Sequence, residues 1–373
     1  MERPNLEHLK SAFLAMEPPN CFISLARSCG GGYITPEVQT FILDIICNGY
    51  VRSGAVSNSS YVRNLLKKVI VDAESTTSDD AVAVVDGLYE QFAHYMTLPA
   101  EDDLLKEENR IYKQISFLYP NGFHDVSSGA RSLVVSLQCS LNLLEGDTGC
   151  AIWPSSLFLS EFILSHPAIF SNKFCFEVGS GVGLVGTCLA YVGASKVILT
   201  DGDISSLANM TSNLELNCLG SGTKAKTKTS PDMIQCKHLP WEFATESELQ
   251  GCQPDIILGA DVIYDPLCLP HLIQVLSILL KTKKHVPEET NDATNKSRNN
   301  YIPCNDQMKE TPVAYIAQVI RNYETFNYFL KLAEEADLCI VDITETKRPP
   351  DFLPYMLSYD RSSVHLYRLS FSK

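Results

Sequence analysis

From Lys173 onward, short apolar runs alternate with helical patterns, and this alternation limits the chain to few architectures. KFCFEV precedes LVGTCLAYVG, KVILTD precedes ISSLANMTSNLELN, PDIILGADVIY precedes LCLPHLIQVLSILL, and VAYIAQVI precedes ETFNYFLKLAEEAD. Each pair reads as a buried strand followed by the helix that carries the chain back to the next parallel strand. The end of the chain departs from the pattern: CIVDITE and SSVHLYRLSF have no helix pattern between them, as two antiparallel final strands require. An α/β domain with a mainly parallel sheet is expected.

The first hundred residues read instead as helices. In PEVQTFILDIICNGYV, apolar residues recur at Val38, Phe41, Ile42, Ile45 and Ile46, and Pro36 suits a first helical position. SSYVRNLLKKVIVDAES opens on serine cap candidates, and DDAVAVVDGLYEQFAHYMTL opens on Asp79 and Asp80. A further stretch, EDDLLKEENRIYKQISFL, is more polar and is read with them. After Pro120-Asn121-Gly122 the character changes, and ARSLVVSLQCSL has the β-branched content of a strand. This puts a boundary between Leu118 and Gly129, giving a smaller helical domain over 1–128 and the α/β domain over 129–373. Thr282 to Thr311 is polar, rich in Asn, Thr and Lys, and reads as a long mobile surface loop.

Charge and cysteine usage narrow the function. The 373 residues carry 30 basic and 44 acidic side chains, a net charge of −14, and lack the overall basic balance expected of a nucleic-acid backbone binder. With 45% hydrophobic residues and a mean hydropathy near zero, the chain can bury a core, and its apolar stretches are too short or too broken by glycine to span a membrane. No secretory signal is expected, since acidic residues interrupt the apolar part of MERPNLEHLKSAFLAMEPPN. Thirteen cysteines, an odd number at irregular spacing without C-x-x-C, point to a reducing compartment, and the cytoplasm is the expected location. Neither they nor the eight histidines are paired at metal-ligand spacing. No metal is expected, and His124, His166 and His238 are given no catalytic role.

The strand FCFEV ends in Gly179-Ser180-Gly181-Val182-Gly183, a tight turn at the edge of the sheet where ligands of open α/β folds bind. Gly181, Gly183 and Gly186 also satisfy G-x-G-x-x-G, and Asp201 closes the next strand, so a nicotinamide dinucleotide competes for the site. Two features oppose it. Glu177, on the strand before the glycines, would repel a pyrophosphate but suit an ammonium, and the pattern sits two residues too far into the helix.

E-V-G-S-G-V-G resembles the first motif of the class I S-adenosylmethionine-dependent methyltransferases. Trp153-Pro154, Trp241 in LPWEF, and Asp261 to Tyr264 in QPDIILGADVIYD resemble segments of their protein-lysine methyltransferase branch, nearest in character to the elongation factor 2 lysine methyltransferases. Arg321-Asn322-Tyr323-Glu324-Thr325 resembles that group's downstream R-N-x-E-T. The resemblance implies a Rossmann-like twisted sheet of about seven strands, the last antiparallel. It also implies S-adenosylmethionine as cofactor and a protein substrate, elongation factor 2, with no nucleic-acid or membrane partner. The implied cofactor-binding residues are Trp153, Glu177, Gly179, Gly181, Gly183, Asp201, Trp241 and Ala260. Asp261 and Tyr264 are implied at the reacting lysine, with Tyr264 walling a narrow channel. Arg321 is assigned either to substrate backbone or to Glu324, Asp203 to capping the following helix, and the region 1–128 to substrate recognition. An NAD-dependent oxidoreductase and a non-catalytic binding module on the same fold remain as alternatives.

Overall fold

The computed structural model describes residues 5–49, 58–75, 83–98, 110–120, 132–140, 148–219, 233–281 and 311–372. Five helices come first: α1 (Leu6–Leu14), α2 (Pro19–Cys29), α3 (Pro36–Gly49), α4 (Ser59–Glu74) and α5 (Asp86–Thr97). Strands β1 (Arg110–Leu118) and β2 (Ser132–Ser140) follow, then α6 (Pro154–Ser165) and the single turn α7 (Pro167–Phe170). The rest alternates: β3 (Phe174–Val178), α8 (Leu184–Tyr191), β4 (Lys196–Asp201), α9 (Ile204–Leu216), β5 (Ile234–His238), the short α10 (Glu246–Gln250), β6 (Ile256–Ala260), α11 (Leu269–Leu280), β7 (Val313–Val319), α12 (Tyr323–Glu335), β8 (Leu338–Asp342) and β9 (Val364–Phe371).

The large sheet has the order β5-β4-β3-β6-β7-β9-β8. β9 pairs antiparallel with β7 and β8, and the remaining pairs are parallel. The seven strands with the last one reversed are as expected. From β3 the chain winds outward through β4 and β5, then returns to lay β6 on the other side of β3, so the winding reverses between β3 and β6. A crevice outside the carboxyl ends of these strands is where such a sheet binds ligands.

Alternation along β3 sends Cys175 to a core shared with α6 and α8, and Phe176 and Val178 to a core shared with α11 and α12. Every residue of α8 from Leu184 to Ala190 is buried, as a helix apolar all round must be. Asp203 caps α9 by accepting from the Ser206 amide at 2.7 Å, and Asn322 caps α12 by accepting from Glu324 and Thr325.

Two expectations about the first third of the chain need correction. RIYKQISFL, read as helix, is strand β1, paired with β2 over nine residues from Arg110↔Ser140 to Leu118↔Ser132. A cut at 128/129 therefore falls between two paired strands. The second edge of β2 is closed by an asparagine ladder on α9: Asn209, Asn213 and Asn217 donate to the carbonyls of Gln138 and Ser136, and Asn213 and Asn217 accept from the same residues' amides. The helices and hairpin are also continuous with the sheet, since Leu9, Phe22, Ile115, Leu137, Phe158 and Leu366 belong to one buried cluster. The segment between β8 and β9 ties them further, with the Ser116 amide donating to Tyr355 Oη at 3.0 Å and the Leu118 amide to the Phe352 carbonyl at 2.7 Å. The expected loop from 282 lies outside the described residues as far as 310, and so does His124.

Candidate active site

The turn after β3 takes its shape from three glycines with positive φ: Gly179 at 64°, Gly181 at 52° and Gly183 at 79°. Side chains rarely adopt these angles. Ser180 pins the turn to β4, its amide donating to the Thr200 carbonyl at 2.8 Å and its hydroxyl accepting from the Thr200 amide at 3.1 Å. Asp201 then holds both sides of the crevice, accepting from the Gly181 amide on Oδ2 and the Asp203 amide on Oδ1, each at 3.0 Å. The fit is close: a Cβ on Gly181 would lie 2.9 Å from the Gly149 carbonyl, and one on Gly179 would lie 3.0 Å from Val262 and 3.6 Å from Trp241.

These residues line a cavity of about 460 Å³, within the range of small-molecule sites. Trp153, Gly179, Gly181, Asp201, Trp241, Ala260, Asp261 and Tyr264 all face it. Glu177 and Gly183 are not on its wall: Glu177 is buried behind the turn, and Gly183 forms the N-terminal end of α8. Thr148, Gly149, Ser206, Glu242, Val262, Cys268 and Arg321 join the lining, and Asp203 faces the cavity besides capping α9. Two buried polar atoms of this wall, Trp241 Nε1 and Ser206 Oγ, have no hydrogen-bond partner. Such atoms are costly unless something meets them.

Asp261 is a residue held in place. Its φ is +56°, its side chain is 4% exposed, and its carboxylate receives Arg321 through two bonds of 3.0 and 3.3 Å. The Val319 amide and Gln318 also donate to it, at 3.3 and 3.4 Å. This corrects the expectation for Arg321, which pairs with Asp261 and not with Glu324. The guanidinium lies 5.1 Å from the centre of the Trp153 ring, whose Nε1 donates to the Thr148 carbonyl. Among the described residues Arg321 is the one cation in the lining and Asp261 occupies it, so Asp201, Asp203 and Glu242 leave that lining negative. The ring of Tyr264 is largely exposed, but loss of water around its hydroxyl, then Cys268, Asp201, Asp265 and Glu242, push its pKa up. His166 and His238 are absent from the lining; they bond locally to the Phe162 and Gly202 carbonyls. Among the described residues no cluster of His, Cys, Asp and Glu could hold a metal ion.

Burial pushes the Glu177 carboxyl up to about 8, opposed by the Ser180 hydrogen bond and reinforced by the charge of Asp201. A folded-state value raised above the unfolded ~4.3 means that the stabilising contribution is complete below the unfolded value and is lost as pH rises through about 8. The ligand-free protein should therefore lose up to about 1.4 kcal/mol per pH unit from this group between those values. Urea melts of wild type and Glu177→Gln across that range check it: the substitution should flatten the wild-type slope.

Residues 135–302 match the family model described as lysine methyltransferase. That stretch is similar to the lysine methyltransferase family. The chain is 33% identical over 242 residues to an uncharacterized protein of Dictyostelium discoideum, covering 60% of each. It is 26% identical over 270 residues to the human protein-lysine N-methyltransferase EEF2KMT, covering 72% of this chain and 68% of that one. With the protein-lysine N-methyltransferase EFM3 of Chaetomium thermophilum it shares 28% identity over 231 residues, covering 59% and 64%. The match thus spans about three fifths of the length of the Dictyostelium relative. Within the matched stretch lie Trp153, the glycine turn, Asp201, Trp241 and the Asp261 to Tyr264 motif.

Proposed function

We propose that the protein transfers a methyl group from S-adenosylmethionine to a lysine side chain of a protein, and that translation elongation factor 2 is its substrate. The supporting observation is the cavity at the switch between β3 and β6, where the glycine turn leaves room and Trp241 Nε1 and Ser206 Oγ await partners. The substrate is suggested by the names of the EEF2KMT relatives. Against a dinucleotide stands charge, not packing. Gly186 does lie tightly on Leu199, as the third glycine of a dinucleotide turn would. A pyrophosphate, however, would face Asp201, Asp203 and Glu242, with Arg321, the one cation among the described lining residues, already paired.

In this reading Asp201 accepts from the ribose hydroxyls, Trp153 and Trp241 give the adenosine apolar contact, and Ala260 leaves space beside it. Gly179 and Gly181 admit the methionine part, and Gly183 sets the start of α8. Glu177, behind the turn, favours the ammonium through water or directly, which lowers its own pKa on binding. Bound S-adenosylmethionine supplies a methyl on a positively charged sulfur, which the lysine nitrogen takes as the sulfur–carbon bond breaks. The nitrogen must first lose a proton to solvent; removal from bulk water in the cavity favours that neutral amine, while the carboxylates favour capture of the cation. Tyr264, a neutral phenol whose pKa is pushed further up, offers Oη as an acceptor for an amine hydrogen. Asp261, locked by Arg321, positions the β6 end that carries Tyr264. The region 1–128 contributes substrate-contacting surface.

Incubation with S-adenosylmethionine and purified elongation factor 2, followed by mass spectrometry, should find methyl groups on lysine; an unmodified factor rejects that substrate. Asp201→Ala should weaken S-adenosylmethionine by about 1.5–3 kcal/mol, or roughly tenfold to more than a hundredfold. Asp201→Asn, which keeps acceptor oxygen for the Gly181 amide, should lose less, and unchanged affinity in both variants removes Asp201 from the site.

A further inference from the structure

Among the described residues the most exposed large apolar side chains are Leu267 at 83%, Phe243 at 80%, Tyr323 at 72%, Ile204 at 69% and Tyr264 at 63%. All five stand on segments that leave the carboxyl ends of the sheet: Ile204 after β4, Phe243 after β5, Tyr264 and Leu267 after β6, and Tyr323 after β7. The most exposed of these side chains thus stand on the edge that carries the cavity, where Tyr264 is part of the lining, while less exposed ones such as Val71, Met96 and Leu357 lie elsewhere. Each segment also carries an acidic residue beside its apolar one, in the pairs Asp203-Ile204, Glu242-Phe243, Tyr264-Asp265 and Tyr323-Glu324. Among the described residues none of these four carboxylates is in an ion pair. The preference of helix starts for acidic groups accounts for Asp203 and Glu324, and places Glu242 in the single helical turn Trp241–Phe243. Asp265 accepts from the Leu267 amide at 2.9 Å and shares the Cys268 thiol with Glu242 at 3.5 Å each, but helix starts do not explain the apolar neighbours of all four.

We propose that this edge is the docking surface for the segment of the protein substrate around the target lysine, and that this segment bears further cationic and apolar side chains. The proposal rests on the lysine methyltransferase reading and names what that reading would select. Apolar patches of this kind mark interaction surfaces in soluble proteins. Four unpaired carboxylates among them attract cationic partners and repel acidic ones, with a strength that falls as salt rises. A second copy of this chain, at a net charge of −14, fits that field poorly.

The test uses the full chain and two short synthetic peptides with one central lysine and identical apolar residues, one flanked by Arg and the other by Glu. Fluorescence anisotropy at low salt should show the Arg peptide bound at least about tenfold more tightly, a preference that shrinks in high salt. Phe243→Ser with Leu267→Ser, both at exposed positions, should weaken the Arg peptide by about tenfold while leaving S-adenosylmethionine titration unchanged. Asp265→Lys with Glu324→Lys should abolish the preference for Arg over Glu flanks. Equal binding of the two peptides, or variants that bind like wild type, overturns the proposal. So does a dimer in sedimentation that Phe243→Ser with Leu267→Ser dissolves, because the surface is then a self-interface. If the peptide preference holds while wild type neither binds S-adenosylmethionine nor methylates any lysine, the docking surface stands and the methyltransferase reading fails.

Discussion

A chain beginning at Gly129 is expected to aggregate on expression, before any cofactor site can be tested. The cut removes β1 from β2 and with it a ladder of nine paired residues. Ile115 and Phe117 leave the cluster they share with Val135 and Leu137, and uncovering two such faces costs roughly 3–6 kcal/mol. Helices α1 to α4 leave the same cluster. The segment between β8 and β9 loses the Ser116 and Leu118 amides that bind Tyr355 Oη and the Phe352 carbonyl, and Ser358 loses its bond to Glu17. Against a typical total stability of about 5–15 kcal/mol, these losses leave no folded margin. Solubility, circular dichroism and a thermal melt of the truncated chain check this. A soluble monomer with a cooperative melt would show that the region 1–128 is a separable domain after all.

The second large effect is expected from Gly181→Ala. The residue sits at φ +52°, and its new Cβ would lie 2.9 Å from the Gly149 carbonyl. That carbonyl has little freedom to retreat, because Gly149 is itself pressed against Ser206. The turn must open, and the Gly181 amide must shift on Asp201. Strain of this kind costs about 1–3 kcal/mol of stability, while a misplacement of the turn on the order of 1 Å lowers methyl transfer about a hundredfold. Gly193→Ala is the control. Gly193 has a comparable φ of +78°, but its Cβ would meet Ser171 Oγ only at 3.7 Å, and it is not part of the cavity wall. It should melt lower and keep cofactor affinity; equal loss of affinity in both variants would assign the effect to general destabilisation.

The parts legible in the sequence share a physical cause. β3, β4, β6 and β7 are buried on both faces, so each shows as an apolar run, and the site residues at their ends follow within a few positions. β5, Ile234–His238, left no such trace, because an edge strand with one fully buried residue reads as polar chain. β1 is not legible as a strand, because its partner β2 begins fourteen residues after it ends and only their pairing distinguishes it from the polar stretch before it. Within the site, Asp201 is legible from its place at the end of β4, whereas Trp241 rests on the family resemblance alone. The Arg321 pairing with Asp261 is not legible, since it joins residues sixty positions apart across the ends of β6 and β7. Gly149 and Ser206 were also missed; only the fold brings their backbone and hydroxyl to the glycine turn. Local sequence records which groups end a strand, and the fold decides which of them meet.

The most direct measurement is calorimetric titration of the full chain with S-adenosylmethionine and, separately, with oxidised nicotinamide adenine dinucleotide. The account predicts saturable binding of S-adenosylmethionine at one site, with release of a proton near pH 7 as Glu177, behind the turn, ionises in response to the ligand's positive charge, lost in Gly181→Ala and kept in Gly193→Ala. It predicts no binding heat from the dinucleotide. Saturable binding of the dinucleotide with none of S-adenosylmethionine would contradict it.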